Sequence, residues 1–167
     1  MRPFRFGVQV RAPRSARAWT ESARRVEALG YAVLSMPDHL GDQFAPLPAL
    51  AAAAAATTRL RLGTWVLAND FRHPVMLAKE AATLDLLSDG RLELGVGAGW
   101  MNEDYAGSGI AKDSPGLRIE RLAEALQVLR GLWAADPLTF KGRHYTVTDL
   151  DGLPKPLQRP HPPLAIG

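Results

Sequence analysis

Two adjacent acid–base side chains, Asp38 and His39, directly follow an apolar run at residues 31–36. An imidazole changes its charge close to neutral pH, so a histidine at the end of a strand is suited to moving a proton. In parallel α/β folds, ligands bind at the carboxyl ends of the strands. We therefore predict catalytic roles for Asp38 and His39. The alternative is a turn in which the Asp38 carboxylate caps the next segment.

A second candidate is the glycine-rich segment Gly97, Ala98 and Gly99. It ends a run, residues 91–97, in which leucine and valine alternate with smaller or polar residues at the period of a strand. Because no bulky side chain intervenes, backbone N–H groups there could approach a ligand closely. On the glycines alone, close packing at a bend between strand and loop is the favoured alternative.

Other acidic and histidine side chains are weaker candidates. Glu103 and Asp104 fall in a polar stretch, residues 102–113, that predicts a long loop. Carboxylates there could donate a proton or accept a hydrogen bond, but a solvated position is favoured. His73 precedes Pro74 at a predicted helix start, where a cofactor contact and a surface turn are equally open.

The elements that position these residues alternate between strand and helix periods. Each predicted helix begins or ends at a capping residue, proline or glycine. The predicted strands are residues 4–10, 31–36, 60–67 and 91–97, and the helices between them are residues 15–29, 47–57 and 74–88, with a loop at 11–14. This order predicts a parallel sheet with right-handed crossovers. On pattern alone, an open doubly wound sheet and a closed barrel both remain possible.

Beyond Trp100 the pattern changes. Asp113 or Ser114 can cap a helix with an apolar stripe, and residues 138–140 and 144–147 predict a small hairpin or extended excursion. A proline-rich connector follows at residues 152–163. The stripe consists of Leu122, Leu126, Leu129 and Trp133. The last residues, 163–167, resemble the start of another strand, so the chain looks like part of a larger fold.

Composition excludes several classes of protein. The 167 residues suffice for one domain, and the net charge of +3 comes from arginines scattered among acids, so no nucleic-acid partner is expected. Without cysteine, and with His144 and His161 outside any ligand spacing, we predict no metal site. The arginine-rich amino terminus is unlike a signal peptide, and no apolar run is long enough for a membrane span. A cytoplasmic location is expected.

The strand periods also predict which side chains point inward. If Phe4, Leu60, Leu62 and Leu92 face the helices, then Arg5, Arg61 and Glu93 face inward at one level. Glycines form the next level, and Gln9, Trp65 and Gly97 form the top. We interpret the charged level as structural pairing of buried charges at the floor.

Several motifs, in order along the chain, resemble the luciferase-like oxidoreductases. The motifs are residues 37–39, 85–91, 95–100 with 103–105 and Gly109, 118–133, 140–145 and 154–166. Residues 66–74 most resemble the branch that uses the deazaflavin coenzyme F420; the other large branch uses FMN. The resemblance implies a (β/α)8 barrel of the TIM type, of which this chain would supply the amino-terminal half as about four to five parallel strands. Residues 1–100 would form βα units one to four, 101–160 the segment before strand five, and 161–167 the start of that strand, within one domain, 1–167.

The resemblance also implies residue roles. It places His39 near the reactive edge of the cofactor ring, and a cis peptide between Trp65 and Val66 against that ring. It favours cofactor binding by Trp65, Val66, Gly97, Ala98 and Gly99. Trp100 stands where some deazaflavin enzymes have a catalytic glutamate, which argues against carrying that acid over.

The implied activity is hydride transfer between F420 and a small organic substrate. An FMN-dependent monooxygenase is the first alternative. A catalytically silent half-barrel that dimerises or binds a partner is the second. Open edges at the first and last strands lead us to expect a homodimer or a loosely packed chain that binds cofactor weakly.

Overall fold

The computed structural model describes residues 4–11 and 15–167, and it builds them around one parallel sheet. Residues 12–14 of the predicted first loop lie outside the described residues. The strands are β1 (Gly7–Gln9), β2 (Val33–Met36), β3 (Arg61–Thr64), β4 (Leu67–Ala68), β5 (Leu92–Gly97), β6 (Leu138–Lys141), β7 (Thr146–Leu150) and β8 (Leu164–Ile166). The helices are α1 (Ala16–Ala28), α2 (Pro46–Ala56), α3 (Pro74–Leu87), α4 (Asn102–Ser108) and α5 (Pro115–Trp133), with a 3-10 turn at Asn69–Phe71.

The sheet has the order β1-β2-β3-β5-β8, with every neighbouring pair parallel. β4 pairs with β5 beyond the end of β3. The prediction of four parallel strands is therefore confirmed, and so is the start of a fifth strand near residue 163. The sheet does not close on itself within the described residues. The observed strands are shorter than predicted, and the strand predicted at residues 60–67 is interrupted at residues 65 and 66.

The local signals for helices act as expected. The Ser15 hydroxyl caps α1 by accepting a hydrogen bond from the Ala18 N–H at 3.1 Å, and Gly30 follows the helix with a φ of 81°. The stripe predicted on α5 is buried, and α5 packs mainly against α3. Two indole N–H groups tie helices together, because Trp19 donates to Ala49 O at 2.6 Å and Trp133 donates to Ala78 O at 3.0 Å.

The predicted direction of the inward side chains is confirmed at the floor of the sheet. Arg5 and Arg61 both contact the same carboxylate oxygen of Glu93. Arg61 also donates to Gln158 Oε1 at 2.9 Å. Leu60, Leu62 and Leu92 are buried on the helix side, as expected.

The side of β1 that was predicted to face the helices is more exposed than expected. Phe4 and Phe6 share the side of Val8, which packs on the core, but they are 93% and 72% exposed. β1 is an edge strand with β2 as its partner. The apolar face predicted for residues 4–10 is therefore only half covered.

The segment after β5 also differs from the prediction. Residues 102–113 were expected to form a loop, but Asn102–Ser108 is a helix that ends at Gly109 with a φ of 73°. Glu103 and Asp104 occupy its first turn, where negative charge favours a helix. Tyr105 is buried and anchors this helix to the rest of the fold.

The predicted hairpin is confirmed as the antiparallel pair β6 and β7. Its turn is held against α5 by Glu124, whose carboxylate accepts the backbone N–H groups of Arg143, His144 and Tyr145 at 2.7 to 3.1 Å. The connector then leads to β8, and Gln158 on it hydrogen-bonds the buried Asp85 carboxylate through its backbone and its side chain.

Candidate active site

A cleft of about 300 Å³ opens at the carboxyl ends of β2, β4 and β5. Its wall is largely apolar and aromatic. The cleft is lined by residues 37–39, 65, 66, 68, 71, 97–101, 104, 105 and 167. All seven residues predicted to form the site therefore border one cavity, although they come from three separate parts of the chain.

His39 is held in the cleft by Asp104. Its Nδ1 lies 2.8 Å from Asp104 Oδ2, and Asp104 Oδ1 accepts the Leu40 N–H at 3.0 Å. The Trp100 ring lies edge-on to the imidazole, with the ring centroids 5.8 Å apart. With an ionised Asp104, Nδ1 carries the hydrogen, and Nε2 has no hydrogen-bond partner among the described residues. This arrangement leaves Nε2 available to a ligand.

The ionised form of Asp104 is stabilised by its hydrogen bonds. Burial favours the neutral acid, but the hydrogen bonds from His39 and from the Leu40 N–H outweigh it and hold the pKa of Asp104 below its ordinary value. An ionised carboxylate can hold the imidazole in one tautomer and stabilise its protonated form.

The interpretation of Asp104 as a solvated loop carboxylate is wrong, whereas Glu103 is exposed as expected. A signal for the buried position is present in the sequence. Met101, Asp104, Tyr105 and Ser108 follow the i, i+3, i+4, i+7 spacing of one helix face. Glu103 lies outside that spacing.

Asp38 has different contacts. Its carboxylate receives two hydrogen bonds from Arg72, at 2.6 and 3.1 Å, and a third from the Ala68 N–H at 2.9 Å. These donors join the end of β2 to β4 and to the segment after it. These partners lie 30 and 34 positions along the chain, so the contacts are not a cap on the next segment, and the catalytic role of Asp38 remains a prediction.

The peptide between Trp65 and Val66 is cis, as the resemblance implied. It separates β3 from β4 and is fixed on both sides, because the Trp65 N–H donates to Met36 O at 2.8 Å and Gln9 Nε2 donates to Trp65 O at 3.0 Å. The Trp65 side chain is half exposed and borders the cleft.

Glycines in β5 make room for this break. A Cβ on Gly95 would lie 2.2 Å from Thr64 O, and one on Gly97 would lie 2.7 Å from Val66 Cγ2. Thr64 also exchanges hydrogen bonds with Gly95, through its Oγ1, at 2.8 Å in both directions. A side chain at Gly95 would clash with the backbone of Thr64, and one at Gly97 would clash with the Val66 side chain and the Gly167 carbonyl, so both positions favour glycine.

The residues that follow β5, Ala98 and Gly99, are held in place by contacts with α5 and α4. Arg118 donates to the carbonyl oxygens of Ala98 and Gly99. Gly99 has a φ of 77°, and a Cβ there would lie 2.0 Å from the Tyr105 hydroxyl. These contacts support the close-packing alternative for Gly99, while cofactor binding by Gly97, Ala98 and Gly99 remains a prediction.

A buried network behind the cleft was missed from the sequence. Arg121 Nη1 donates to Asp70 Oδ1 at 2.7 Å, and the Tyr105 hydroxyl donates to Asp70 Oδ2 at 3.0 Å. Burial and the adjacent Asp70 carboxylate raise the pKa of Tyr105. The phenol therefore stays protonated and keeps its hydrogen bond.

The remaining histidines lie outside the cleft lining. His73 caps α3 by accepting the Val75 N–H at 3.3 Å, and its ring lies edge-on to Tyr145. Over residues 4–11 and 15–167, no group of three or more His, Cys, Asp or Glu side chains could hold a metal ion. No helix in this part of the chain is long and apolar enough to cross a membrane.

Comparisons with known proteins agree with this architecture. A sequence profile described as luciferase-like monooxygenase matches residues 1–167. The F420-dependent glucose-6-phosphate dehydrogenase of Beutenbergia cavernae is 39% identical over an alignment 160 residues long, which covers 87% of this chain and 46% of that protein. The FMNH(2)-dependent dimethylsulfone monooxygenase of Pseudomonas putida is 34% identical over 116 residues, which are 70% of this chain and 32% of that protein.

A solved structure also matches this chain over about half of its own length. An F420-dependent secondary alcohol dehydrogenase, in complex with an F420-acetone adduct, superposes with a TM-score of 0.83 at 27% identity, covering 96% of this chain and 50% of that one. The chain thus spans about half the length of the curated relatives it matches, or less. By its sequence profile over all 167 residues, the chain belongs to the luciferase-like monooxygenase family.

Proposed function

We propose that the chain forms the amino-terminal part of an oxidoreductase site at which hydride passes between coenzyme F420 and a small organic substrate. The observation that carries the proposal is the His39–Asp104 pair, 2.8 Å apart, in the cleft beside the Trp65–Val66 peptide. The pair supplies a proton-transfer group with a defined tautomer. The adjacent apolar wall supplies a surface for a planar ring.

The residues present fit the ring portion of the cofactor. Trp65, Val66, Phe71 and Trp100 give the cleft flat apolar walls. The arginines behind it, Arg72, Arg118 and Arg121, are engaged by carboxylates and carbonyl groups of the protein. This part of the chain therefore holds a ring rather than an anionic tail.

When bound, the deazaflavin accepts or donates a hydride at its C5 carbon. His39 then handles the accompanying proton. In the direction of alcohol oxidation, Nε2 takes the hydroxyl proton while hydride leaves the substrate carbon, and a carbonyl compound results. In the reverse direction Nε2 returns the proton to the carbonyl oxygen. Asp104 holds Nδ1–H throughout and stabilises the positive ring that forms.

F420 is favoured over FMN by residues 66–74, which resemble the deazaflavin branch, and by the similarity to the Beutenbergia cavernae dehydrogenase over 87% of the chain. The Pseudomonas putida monooxygenase supports FMN as the second candidate. The cleft and its histidine are equally suited to a flavin ring, so the two cofactors are best compared directly.

The test is a titration of residues 1–167 with F420 and, separately, with FMN, followed by cofactor fluorescence. We expect saturable F420 binding that Trp65→Ala weakens at least tenfold. Leu29→Ala, an exposed apolar position away from the cleft, serves as the matched control and should bind normally. Tighter binding of FMN would transfer the proposal to the monooxygenase reaction, and no binding of either would favour the silent half-barrel.

A further inference from the structure

Helix α4 carries Asp104, the partner of His39, but it is too short to hold its own position. It has seven residues, and isolated helices of that length are unstable in water. Its place and its rotation about its own axis are therefore set by contacts with other segments. Consecutive side chains on a helix point about 100° apart, so a contact that fixes Tyr105 also fixes the direction of Asp104.

The Tyr105 side chain makes such contacts with the wall of the cleft. It is 3% exposed, and its hydroxyl donates to Asp70 Oδ2 at 3.0 Å. Its ring centroid lies 5.6 Å from that of Phe71. Asp70 and Phe71 belong to the 3-10 turn that follows β4, and Phe71 borders the cleft. Tyr105 therefore joins α4 to the part of the wall that contains Phe71.

Asp70 is held in turn by α5. Arg121 Nη1 donates to Asp70 Oδ1 at 2.7 Å, and Arg121 Nη2 contacts the Asp113 carboxylate. The Asp70 side chain is 1% exposed, so solvent screens this ion pair little. Hydrogen bonds to an ionised carboxylate are stronger than those between neutral groups. The Asp70 carboxylate is therefore a fixed and strong acceptor for the Tyr105 hydroxyl.

The Tyr105 ring also packs against the segment after β5. A Cβ on Gly99 would lie 2.0 Å from the Tyr105 hydroxyl. Lys112 Nζ lies 5.5 Å from the centroid of the Tyr105 ring and donates to Trp100 O at 2.6 Å. Trp100 is the residue whose ring lies edge-on to His39. Tyr105 thus lies among the segments that surround the imidazole.

We infer that Tyr105 is a positioning residue for the proton-transfer pair and acts through Asp104. The Asp70 carboxylate fixes the Tyr105 hydroxyl, the hydroxyl fixes the rotation of α4, and α4 presents Asp104 Oδ2 to His39 Nδ1. The chemical purpose of this arrangement rests on the proposed function, because a defined tautomer matters where Nε2 exchanges a proton with a substrate. The positioning itself belongs to the folded chain and can be measured with no cofactor present.

Tyr105→Phe tests the inference, because it removes the hydroxyl and keeps the ring. We expect the hydrogen on His39 Nδ1 to exchange with water at least about tenfold faster than in wild type, since local opening of α4 then costs less. Nitrogen-15 NMR with saturation transfer from water measures this rate. Unchanged exchange at His39 would overturn the inference.

Tyr145→Phe is the matched control. The Tyr145 hydroxyl accepts a hydrogen bond from Asn69 Nδ2 at 3.1 Å, so this variant also removes a phenolic contact from the same 3-10 turn. Tyr145 lies between β6 and β7 rather than in α4. Exchange at His39 should therefore stay within about twofold of wild type. Circular dichroism verifies that both variants fold, and equal acceleration in both would overturn the inference by showing a general loosening.

The exchange measurement and the cofactor titration fail independently. If neither F420 nor FMN binds, the proposed function is contradicted, while faster exchange in Tyr105→Phe alone still supports the positioning role. If exchange at His39 is the same in Tyr105→Phe and wild type, the positioning role is wrong, while saturable F420 binding still supports the proposed function.

Discussion

Replacing Asp104 with asparagine tests the chemistry of the cleft with little change in shape. Asparagine can keep the hydrogen bond from the Leu40 N–H, but its amide presents N–H groups to His39 Nδ1. The imidazole then accepts at Nδ1 and carries its hydrogen on Nε2, which is the wrong tautomer for taking a proton. General acid–base catalysis contributes about 10²–10⁴-fold, and we expect the catalysed rate to fall by that order.

The stability cost of the same change follows from the contacts. A hydrogen bond to a charged group is worth about 1.5–3 kcal/mol, and the Asp104 side chain is 8% exposed, so solvent screens it little. Because the pKa of Asp104 is lowered in the folded chain, its contribution is present above the unfolded-state pKa of about 4 and is lost as the pH falls through the folded-state pKa. The variant should therefore be less stable than wild type near neutral pH, and the difference should shrink in acid.

Nitrogen-15 NMR of the histidine rings measures the tautomer without any cofactor. We expect His39 to be protonated on Nδ1 in wild type and on Nε2 in Asp104→Asn. Glu103→Gln, at the exposed neighbouring carboxylate, is the matched control and should leave both the tautomer and the rate unchanged. If Asp104→Asn keeps the wild-type tautomer and rate, Asp104 does not position His39.

Two further predictions concern the frame of the cleft. Gly95→Ala should lower the free energy of unfolding by at least about 1–3 kcal/mol, because its Cβ would lie 2.2 Å from Thr64 O. The control Gly107→Ala should not lower it, because nothing lies within 4 Å of a Cβ at that position. Urea unfolding measures both, and equal effects would contradict the packing argument. Arg72→Met leaves the buried Asp38 carboxylate without its bidentate partner and should lower the free energy of unfolding by about 3–5 kcal/mol. The double variant Arg72→Met/Asp38→Asn should recover part of that loss. A loss below about 1 kcal/mol, as for an exposed ion pair, would contradict the prediction.

Much of this architecture could be predicted because it depends on periods of two and 3.6 residues. The alternation of Leu92, Leu94 and Val96 predicts which side of β5 faces the helices. The same alternation predicts that Arg61 and Glu93 point inward together, and they form an ion pair. The break at Trp65 followed from resemblance instead, since no local pattern in residues 60–67 marks it. The sequence predicts a close approach of a ligand at Gly97, Ala98 and Gly99, but it does not show that Gly95 lies against the backbone of Thr64.

What sequence reasoning missed depends on contacts between distant segments. The helical spacing that includes Asp104 is a signal of burial, but no local pattern shows its partner, because His39 belongs to another βα unit. Asp70 and Arg121 are separated by 51 positions, and neither has a local signal of burial. Phe6 shows the opposite error, because alternation predicts which side a residue takes but not whether a helix is present to cover it.

The separation of His39 and Asp104 has a consequence for how the chain folds. The two residues are 65 positions apart, and their strands, β2 and β5, are not neighbours, since β3 lies between them. The pair can form only after two successive crossovers have closed and three strands have docked in register. Contacts of such high sequence separation form slowly and late. The His39 ring is therefore a kinetic probe of folding: its hydrogen bond should appear with the final cooperative phase, after the helices have already formed.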